Sequence, residues 1–252
     1  MRAALLKEVG LKPVIEVIDV DDPVAGDENV VIKVEAVGLC NHDVAVMKGI
    51  LRRGVKENII LGHEISGTIV DTGIVGDGFS LGDRVVTSLT NFCGECESCL
   101  KGASYRCPNA YGYGHGIDGG YREYLDIHTR NLIKVDTSSN VDGSSIYGCP
   151  IGVSFKALTE IGKVGSDSFV VVFGSGGGLG CHAMQIANSM GATVISFTSS
   201  PEKLETLQDL RSGHVFLIDE YVDPSELVMG FTNDKGADLV FNPVGGVYLL
   251  RV

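Results

Sequence analysis

The sequence has few prolines, fewer basic than acidic residues, and no long apolar run. Seven prolines in 252 residues exclude Pro-rich linkers, and the lack of a Gly-X-Y period excludes collagen despite the 34 glycines. No apolar run approaches the roughly 18 residues that a membrane-spanning helix needs. The 20 basic and 32 acidic residues give a net charge of −12, which argues against a polyanionic partner such as nucleic acid.

The N-terminal residues and the one basic cluster bear on the location of the protein. Only residues 3–6 are apolar before Lys7, which is too short for the core of a signal peptide. Arg52, Arg53 and Lys56 form the basic cluster, which we interpret as a solvated loop. We therefore expect a cytoplasmic protein with no nucleic-acid or membrane partner, in which the seven cysteines are reduced.

Two sequence patterns divide the chain near residue 150. Residues 1–150 contain short strand-like runs, such as 30–37, separated by turn-forming residues, which predicts a mostly β domain. Residues 151–252 alternate strand-like runs with amphipathic helical segments, and the run at 169–173 is continuously apolar. This alternation predicts a doubly wound parallel sheet, of which four strands are visible where six are expected.

Four of the cysteines lie within 15 residues, in the pattern C-x2-C-x2-C-x7-C formed by Cys93, Cys96, Cys99 and Cys107. Four thiolates at this spacing can surround one tetrahedral Zn²⁺ and leave no open position, which predicts a structural zinc site. An iron–sulfur cluster, a chance disulfide and unpaired buried cysteines are the alternatives.

Three further candidate ligands are far apart in the sequence. Cys40 follows a strand-like run, His63 precedes another, and Cys149 lies where the β-rich half ends. Two thiolates and one imidazole hold Zn²⁺ with a fourth position open, which is the ligand set of a catalytic zinc. Taken alone, each of these residues is more often an ordinary core residue.

Together, the motifs resemble those of the zinc-dependent alcohol dehydrogenases, in the medium-chain dehydrogenase/reductase superfamily. The matching patterns are G-H-E-x2-G-x5-G at 62–73, the cysteine pattern at 93–107, G-D-R-V at 82–85 and G-G-Y-x-E-Y at 119–124. The resemblance implies a GroES-like catalytic domain over residues 1–150. It also implies a Rossmann nucleotide-binding domain over residues 151–252, incomplete at about four strands.

The resemblance also implies roles for individual residues. Cys40, His63 and Cys149 would bind the catalytic zinc, and Glu64 would be an alternative or neighbouring ligand. Asp43 is expected to hydrogen-bond to the His63 ring and to fix its orientation. With the four clustered cysteines on a structural zinc, the chain is expected to hold two Zn²⁺ ions.

The residue two positions after Cys40 departs from the family pattern. The family usually has Ser or Thr there as the first member of a proton relay, whereas this chain has His42, and Ala45 replaces the relay histidine. An imidazole with an ordinary pKa near ~6.5 can exchange the proton itself, which makes His42 a candidate catalytic residue. Alternatively, His42 only shapes the pocket. The remaining histidines are expected to have surface or packing roles: His115, His128, His182 and His214.

A glycine-rich segment follows the apolar run at 169–173 and precedes an amphipathic helix. Without side chains, the backbone N–H groups at such a helix N-terminus can approach a pyrophosphate. In this context the segment predicts a dinucleotide-binding loop. Its residues are Gly174, Ser175, Gly176, Gly177, Gly178, Leu179 and Gly180.

The segment after the second strand bears on the choice between NAD and NADP. An acidic residue there would bind the ribose 2′-hydroxyl of NAD, but this chain has Thr198 at that position. Thr198, Ser199, Ser200 and Lys203 can instead bind a 2′-phosphate, and the segment resembles that of NADP-using relatives. We therefore expect NADP(H) in preference to NAD(H). A polar turn that accepts either cofactor is the alternative.

These features predict an enzyme that oxidises an alcohol or reduces an aldehyde or ketone, with His42, Asp43 and Glu64 as catalytic residues. One alternative is an NADPH-dependent reductase of activated C=C bonds. Another is a truncated, non-catalytic protein that binds zinc and nucleotide. The expected partner is a small-molecule substrate. The family usually forms homo-oligomers, but its usual subunit interface belongs to the part of the fold expected after residue 252.

Overall fold

Two units of different architecture make up the chain, Met1–Cys149 and Pro150–Val252. The first is built from antiparallel sheets, and the second from one parallel sheet with helices. Within the described ranges, no helix is long and apolar enough to cross a membrane. The structure is a computed structural model that describes residues 1–74, 78–136, 138–219 and 221–246.

The strands of the first unit form a five-stranded sheet, a three-stranded sheet and a two-stranded ribbon in the described ranges. They are β1 (Arg2–Glu8), β2 (Val14–Asp19), β3 (Asn29–Gly38), β4 (Ile59–Ile60), β5 (Glu64–Asp71), β6 (Arg84–Thr87), β7 (Thr90–Asn91), β8 (Tyr111–Gly112), β9 (Tyr124–His128) and β10 (Leu132–Lys134). The orders are β10-β6-β5-β3-β9, β2-β1-β4 and β7-β8, with antiparallel pairing throughout.

Short helical elements connect these strands. The α-helices are α1 (Asn41–Met47), α2 (Glu97–Leu100) and α3 (Val141–Ser144). The 3₁₀ turns are Ser104–Arg106, Thr129–Asn131 and Ser145–Tyr147.

Apolar residues at alternate strand positions form the core of the first unit. On β3, Val30 and Ile32 point to the same face, because successive side chains alternate across a strand. Both are fully buried and pack with apolar residues of β5, β6 and β9. Burial of such a side chain contributes about 1.5–3 kcal/mol. The strand pair β3–β5 is therefore firmly packed, and it carries the candidate ligands at one end.

The second unit has four parallel strands in the order β13-β12-β11-β14, which confirms the predicted parallel sheet. The strands are β11 (Phe169–Phe173), β12 (Thr193–Thr198), β13 (His214–Leu217) and β14 (Leu239–Phe241). The helices are α4 (Pro150–Lys156), which continues into a π-helical turn (Ala157–Ile161), α5 (Gly178–Ser189), α6 (Pro201–Asp209) and α7 (Pro224–Thr232).

Strand β11 is covered on both faces, which explains why it is apolar throughout. Val170 and Val172 join a core cluster that contains residues of α5, such as Ala183. The alternate residues Val171 and Phe173 join a separate cluster on the opposite face. The C-terminal end of this central strand leads directly into the glycine-rich segment.

Candidate active site and cofactor loop

The pairing of β3 with β5 brings the first two candidate ligands together. Gly38, the last residue of β3, is the register partner of Glu64, the first residue of β5. Cys40 comes two residues after Gly38, and His63 comes directly before Glu64, so the two side chains meet at one end of the sheet. Cys149 reaches the same place after the 3₁₀ turn at residues 145–147, which packs against β5.

Four potential ligands converge here, and we call them the Cys40–Cys149 cluster. The Sγ atoms of Cys40 and Cys149, a ring nitrogen of His63 and a carboxylate oxygen of Glu64 all lie within 4.8 Å of one another. His63 and Glu64 are buried, and the two cysteines are half-buried. Thiolates, imidazole and carboxylate are the donors that Zn²⁺ takes in proteins, so the cluster fits a zinc ion.

The side chains of the cluster shift one another's pKa values. In the absence of a metal ion, protons occupy some of the donor atoms. Hydrogen bonds from Cys149 and from His63 lower the pKa of Cys40 to about 4. Burial lowers the pKa of His63, but its interactions with Asp43 and Cys40 outweigh burial and raise that pKa to about 9. The Cys40 thiolate and burial raise the pKa of the Cys149 thiol. A divalent ion would displace the protons held by His63 and Cys149.

Glu64 reaches the cluster because Gly38 has no side chain. A Cβ atom on Gly38 would overlap Oε2 of Glu64 and would lie 3.0 Å from its Cβ. Oε1 of Glu64 lies 4.0 Å from Nε2 of His63. Burial raises the pKa of Glu64, so this carboxyl group holds a proton more readily than an exposed one. The structure thus places Glu64 beside Cys40, His63 and Cys149, and its role as a ligand stays a prediction.

Asp43 is fully buried and ties two of the ligand segments together. It accepts hydrogen bonds from the backbone N–H groups of Cys40 at 3.0 Å and of Gly62 at 3.3 Å. Its Oδ1 is 3.5 Å from Nδ1 of His63, which has no hydrogen-bond partner among the described residues. The carboxylate of Asp43 thus faces the His63 ring at a distance longer than that of an ordinary hydrogen bond, and it raises the pKa of His63.

His42 lies beside the cluster and contacts a second histidine that the sequence did not single out. Its ring stands edge-on to His63, with 5.0 Å between the centroids. Nε2 of His42 is 3.2 Å from Nδ1 of His115, and Nε2 of His115 is 2.9 Å from the carbonyl oxygen of Arg53. His115 thus contacts a candidate catalytic residue, and the surface or packing role expected of it stays a prediction. The two histidines are 73 residues apart, and no sequence spacing signals their contact.

The other four predicted ligands form a separate group, which we call the cysteine lobe. Their Sγ atoms are 3.5 Å apart for Cys96 and Cys99, 3.5 Å for Cys93 and Cys107, and 4.0 Å for Cys93 and Cys99. Four sulfurs around one zinc, each at ~2.3 Å, would be about 3.8 Å apart, so the lobe fits a zinc ion. None of the seven cysteines of the chain forms a disulfide.

A charged network attaches the cysteine lobe to the five-stranded sheet. The guanidinium of Arg130 donates to the carbonyl oxygen of Cys93. The backbone N–H and Nε of Arg130 donate to Nδ1 of His128 at 3.1 and 3.2 Å. Nε2 of His128 in turn lies 3.1 Å from Glu28. Arg130 thus holds the first cysteine of the lobe against β9.

In the second unit, the glycine-rich segment forms a tight turn between β11 and α5. Gly174 has φ of +67°, a conformation that favours glycine. A Cβ on Gly180 would collide with the carbonyl oxygen of Gly174, so only glycine lets α5 approach this closely. Ser175 is buried, and its Oγ donates to Phe197 at 3.0 Å. The N-terminus of α5 thus remains free of bulky side chains, as an anion-binding turn requires.

The structure brings the end of β12 against this turn. A Cβ on Gly176 would lie 2.8 Å from Oγ1 of Thr198 and 3.9 Å from Oγ of Ser200. Nζ of Lys203 donates to the carbonyl oxygen of Gly176 at 2.9 Å. Thr198 is buried and accepts a hydrogen bond from the Ser200 N–H, whereas Ser199 is exposed. Two hydroxyls and an ammonium therefore gather beside the glycine-rich turn.

Comparison with known proteins places both units in one family. Residues 26–137 match the alcohol dehydrogenase GroES-like domain, and residues 178–251 match the zinc-binding dehydrogenase domain. An NAD-dependent alcohol dehydrogenase of Sulfurisphaera tokodaii is 34% identical, over 96% of this chain and 71% of that relative. The chain belongs to the zinc-binding alcohol dehydrogenase family. The family resemblance expected from the motifs is confirmed.

Two further relatives define how far the family likeness extends. An acryloyl-coenzyme A reductase of the same organism is 34% identical over 75% of this chain, which spans 57% of that relative. A crystal structure of an NAD-dependent alcohol dehydrogenase superposes with a TM-score of 0.92 and 29% identity, over 99% of this chain and 72% of that one. The predicted fold, a GroES-like domain followed by a Rossmann-type sheet, is confirmed.

Proposed function

We propose that this chain is a zinc-dependent alcohol dehydrogenase or carbonyl reductase that uses NADP(H) in preference to NAD(H). The observation that carries the proposal is the convergence of Cys40, His63 and Cys149 in one cluster. Two thiolates and an imidazole leave a position open for a substrate oxygen, whereas the cysteine lobe has no such position. Two zinc ions per chain, one in each site, follow from the two ligand sets.

The bound groups supply two kinds of chemistry, which are polarisation of the substrate oxygen by zinc and hydride exchange by the nicotinamide ring. The chain's residues hold these groups and handle the proton. Cys40, Cys149 and His63 hold the metal, and Asp43 fixes the segments that carry Cys40 and His63. His42 accepts the proton of an alcohol, or returns it to a carbonyl oxygen, at a ring nitrogen.

The residues of the second unit hold the cofactor. N–H groups of the turn at 174–180 bind the pyrophosphate at the N-terminus of α5. The hydroxyl groups of Thr198 and Ser200 and the ammonium of Lys203 bind a 2′-phosphate, which supports the preference for NADP(H). The strand β12 ends in Thr198, so it offers no carboxylate to a ribose 2′-hydroxyl.

A second candidate activity is the NADPH-dependent reduction of an activated C=C bond. The similarity to an acryloyl-coenzyme A reductase favours it. A reaction of this kind does not require a polarising metal at the substrate oxygen. Zinc dependence therefore separates the two candidates.

One experiment tests both. The purified chain is analysed for zinc and screened with alcohols, aldehydes, ketones and enones, while the absorbance of NADPH and NADH is followed with and without a chelator. We expect chelator-sensitive alcohol or carbonyl turnover with a lower KM for the NADP form. Chelator-insensitive enone reduction would support the second candidate. Bound zinc and NADPH without turnover on any substrate would identify a non-catalytic binding protein.

A further inference from the structure

His42 and His115 form a hydrogen-bonded pair, and a backbone carbonyl determines which ring donates and which accepts. Nε2 of His115 is 2.9 Å from the carbonyl oxygen of Arg53. A carbonyl oxygen only accepts hydrogen bonds, so Nε2 of His115 carries the hydrogen. A neutral imidazole has one N–H group, which leaves Nδ1 of His115 as an acceptor.

The tautomer of His115 determines the tautomer of His42. Nδ1 of His115 is 3.2 Å from Nε2 of His42, so Nε2 of His42 is the donor in that contact. Nδ1 of a neutral His42 then has a free lone pair. This nitrogen is buried and has no hydrogen-bond partner among the described residues.

The position of His115 is fixed by its backbone as well as by its ring. Its carbonyl oxygen accepts a hydrogen bond from the Lys56 N–H at 2.8 Å, and its N–H donates to Gly112 at 3.2 Å. Nζ of Lys56 forms an ion pair with Asp118 at 2.6 Å, three residues after His115. Hydrogen bonds and an ion pair from the basic loop at 52–56 therefore hold the segment that carries His115.

We propose that His115 is a positioning residue, which holds His42 in the tautomer whose Nδ1 accepts a hydrogen bond from the hydroxyl group of the substrate. The substrate part rests on the proposed alcohol dehydrogenase function. The tautomer part rests only on the contacts of His42, His115 and Arg53. The His42 ring stands edge-on to the His63 ring, with 5.0 Å between the centroids, so His42 lies next to one of the proposed metal ligands, where it can accept a hydrogen bond from a hydroxyl group.

The test uses the zinc-loaded full chain with ¹⁵N-labelled histidine. Long-range ¹H–¹⁵N correlations report which ring nitrogen carries the hydrogen, and the His42→Asn and His115→Asn variants assign the signals. We expect hydrogen on Nε2 and none on Nδ1 for both rings. A His42 ring with its hydrogen mainly on Nδ1 would overturn the proposal, whatever the chain's activity.

Substitutions then separate positioning from simple folding. His115→Phe removes the acceptor for His42, so we expect a mixed His42 tautomer and a kcat about tenfold lower, with KM changed less than about threefold. His115→Asn can present an amide oxygen to His42, and we expect it to restore most of the kcat. His214→Asn, whose exposed ring packs on Phe231, is the matched control and should change neither readout.

The outcomes also distinguish this inference from the proposed function. If His115→Phe binds zinc and folds like the parent chain but leaves the His42 tautomer unchanged, the positioning role is wrong. If the tautomers are as expected but no alcohol or carbonyl compound is turned over, the proposed function fails while the assignment of the His42 tautomer stands.

Discussion

The two candidate metal sites of the first unit are assembled in different ways. The cysteine lobe takes all four ligands from residues 93–107, which form only short helical turns. The Cys40–Cys149 cluster takes its ligands from three separate segments, which the packed β3–β5 pair brings together. The lobe has almost no apolar core of its own, whereas the cluster lies at the end of a packed sheet.

This difference in assembly indicates which of the two candidate sites needs a metal to keep its local structure. Short loops rich in cysteine obtain their folding free energy largely from the metal. A cluster on packed strands keeps its arrangement without one, so we expect its donor atoms to be in place before a metal binds. We expect loss of the lobe metal to change local structure, and loss of the cluster metal to change reactivity.

The sharpest test replaces one ligand in each site. Cys40→Ala is expected to lower kcat/KM by at least about 10³-fold, because polarisation of the substrate oxygen contributes several kcal/mol. Cys99→Ala is expected to lower it by less than about tenfold, but to speed trypsin cleavage at Lys101 and Arg106 by about tenfold or more. Zinc analysis should show one ion fewer per chain in both variants.

The remaining cysteine provides the matched control for this pair. Cys181 lies outside both sites and packs against the core of the second unit. Cys181→Ala should therefore retain both zinc ions and the parent kcat/KM. If Cys99→Ala were inactive and Cys40→Ala active, the roles assigned to the two sites would be reversed.

A smaller effect is expected from the residue that supports the Cys40–Cys149 cluster. Asp43→Asn keeps an oxygen acceptor for a backbone N–H group but removes the charge that faces His63. We expect the pKa of His63 in the metal-free chain to fall, and zinc affinity to drop by about 10- to 100-fold. Competition with a chromophoric chelator measures the affinity, and the exposed Asp167→Asn is the control. Unchanged affinity would mean that the backbone alone holds the ligands.

Zinc binding by the cluster should also depend on pH. Because the pKa of His63 is raised to about 9 in the metal-free chain, its proton competes with the metal at neutral pH. Affinity should rise about tenfold per pH unit for each displaced proton, and the His63 contribution should level off above pH 9. Titration of metal-free Cys99→Ala at pH 7, 8 and 9 checks this. A constant affinity would show that His63 is not a ligand.

The smallest effect is expected at the attachment of the lobe. Arg130→Met removes the donor to Cys93 and the contact with His128, so we expect trypsin cleavage at Lys101 to rise by a few-fold. Zinc content and kcat/KM should stay near the parent values. A large loss of activity would show that the lobe is coupled to the Cys40–Cys149 cluster.

Much of the second unit could be predicted from its sequence because its signals are local. The continuous apolar run at 169–173 is strand β11, and the glycine-rich segment opens α5 as expected. The spacing of the cysteines at 93–107 likewise predicts the cysteine lobe. In each case, neighbours in the sequence are also neighbours in space.

The first unit was less predictable because its contacts are long-range. Nothing in the spacing of His42 and His115 signals a hydrogen bond between them, because α1 and the segment after β8 are neighbours only in the folded unit. The carboxylate of Asp43 lies 3.5 Å from His63 and also accepts hydrogen bonds from two backbone N–H groups, which the sequence does not predict. These extra contacts depend on backbone positions that only the folded sheet defines.

The Cys40–Cys149 cluster depends on the missing side chain of Gly38. The residue has no functional group, yet the room it leaves on β3 allows the Glu64 carboxylate to lie beside Cys40, His63 and Cys149. A methyl group at this position would push the Glu64 carboxylate away from the other three donors. The effect would resemble replacement of Glu64, although all four donor residues would remain in the sequence. The set of donor atoms in the cluster is thus determined partly by a residue that supplies none of them.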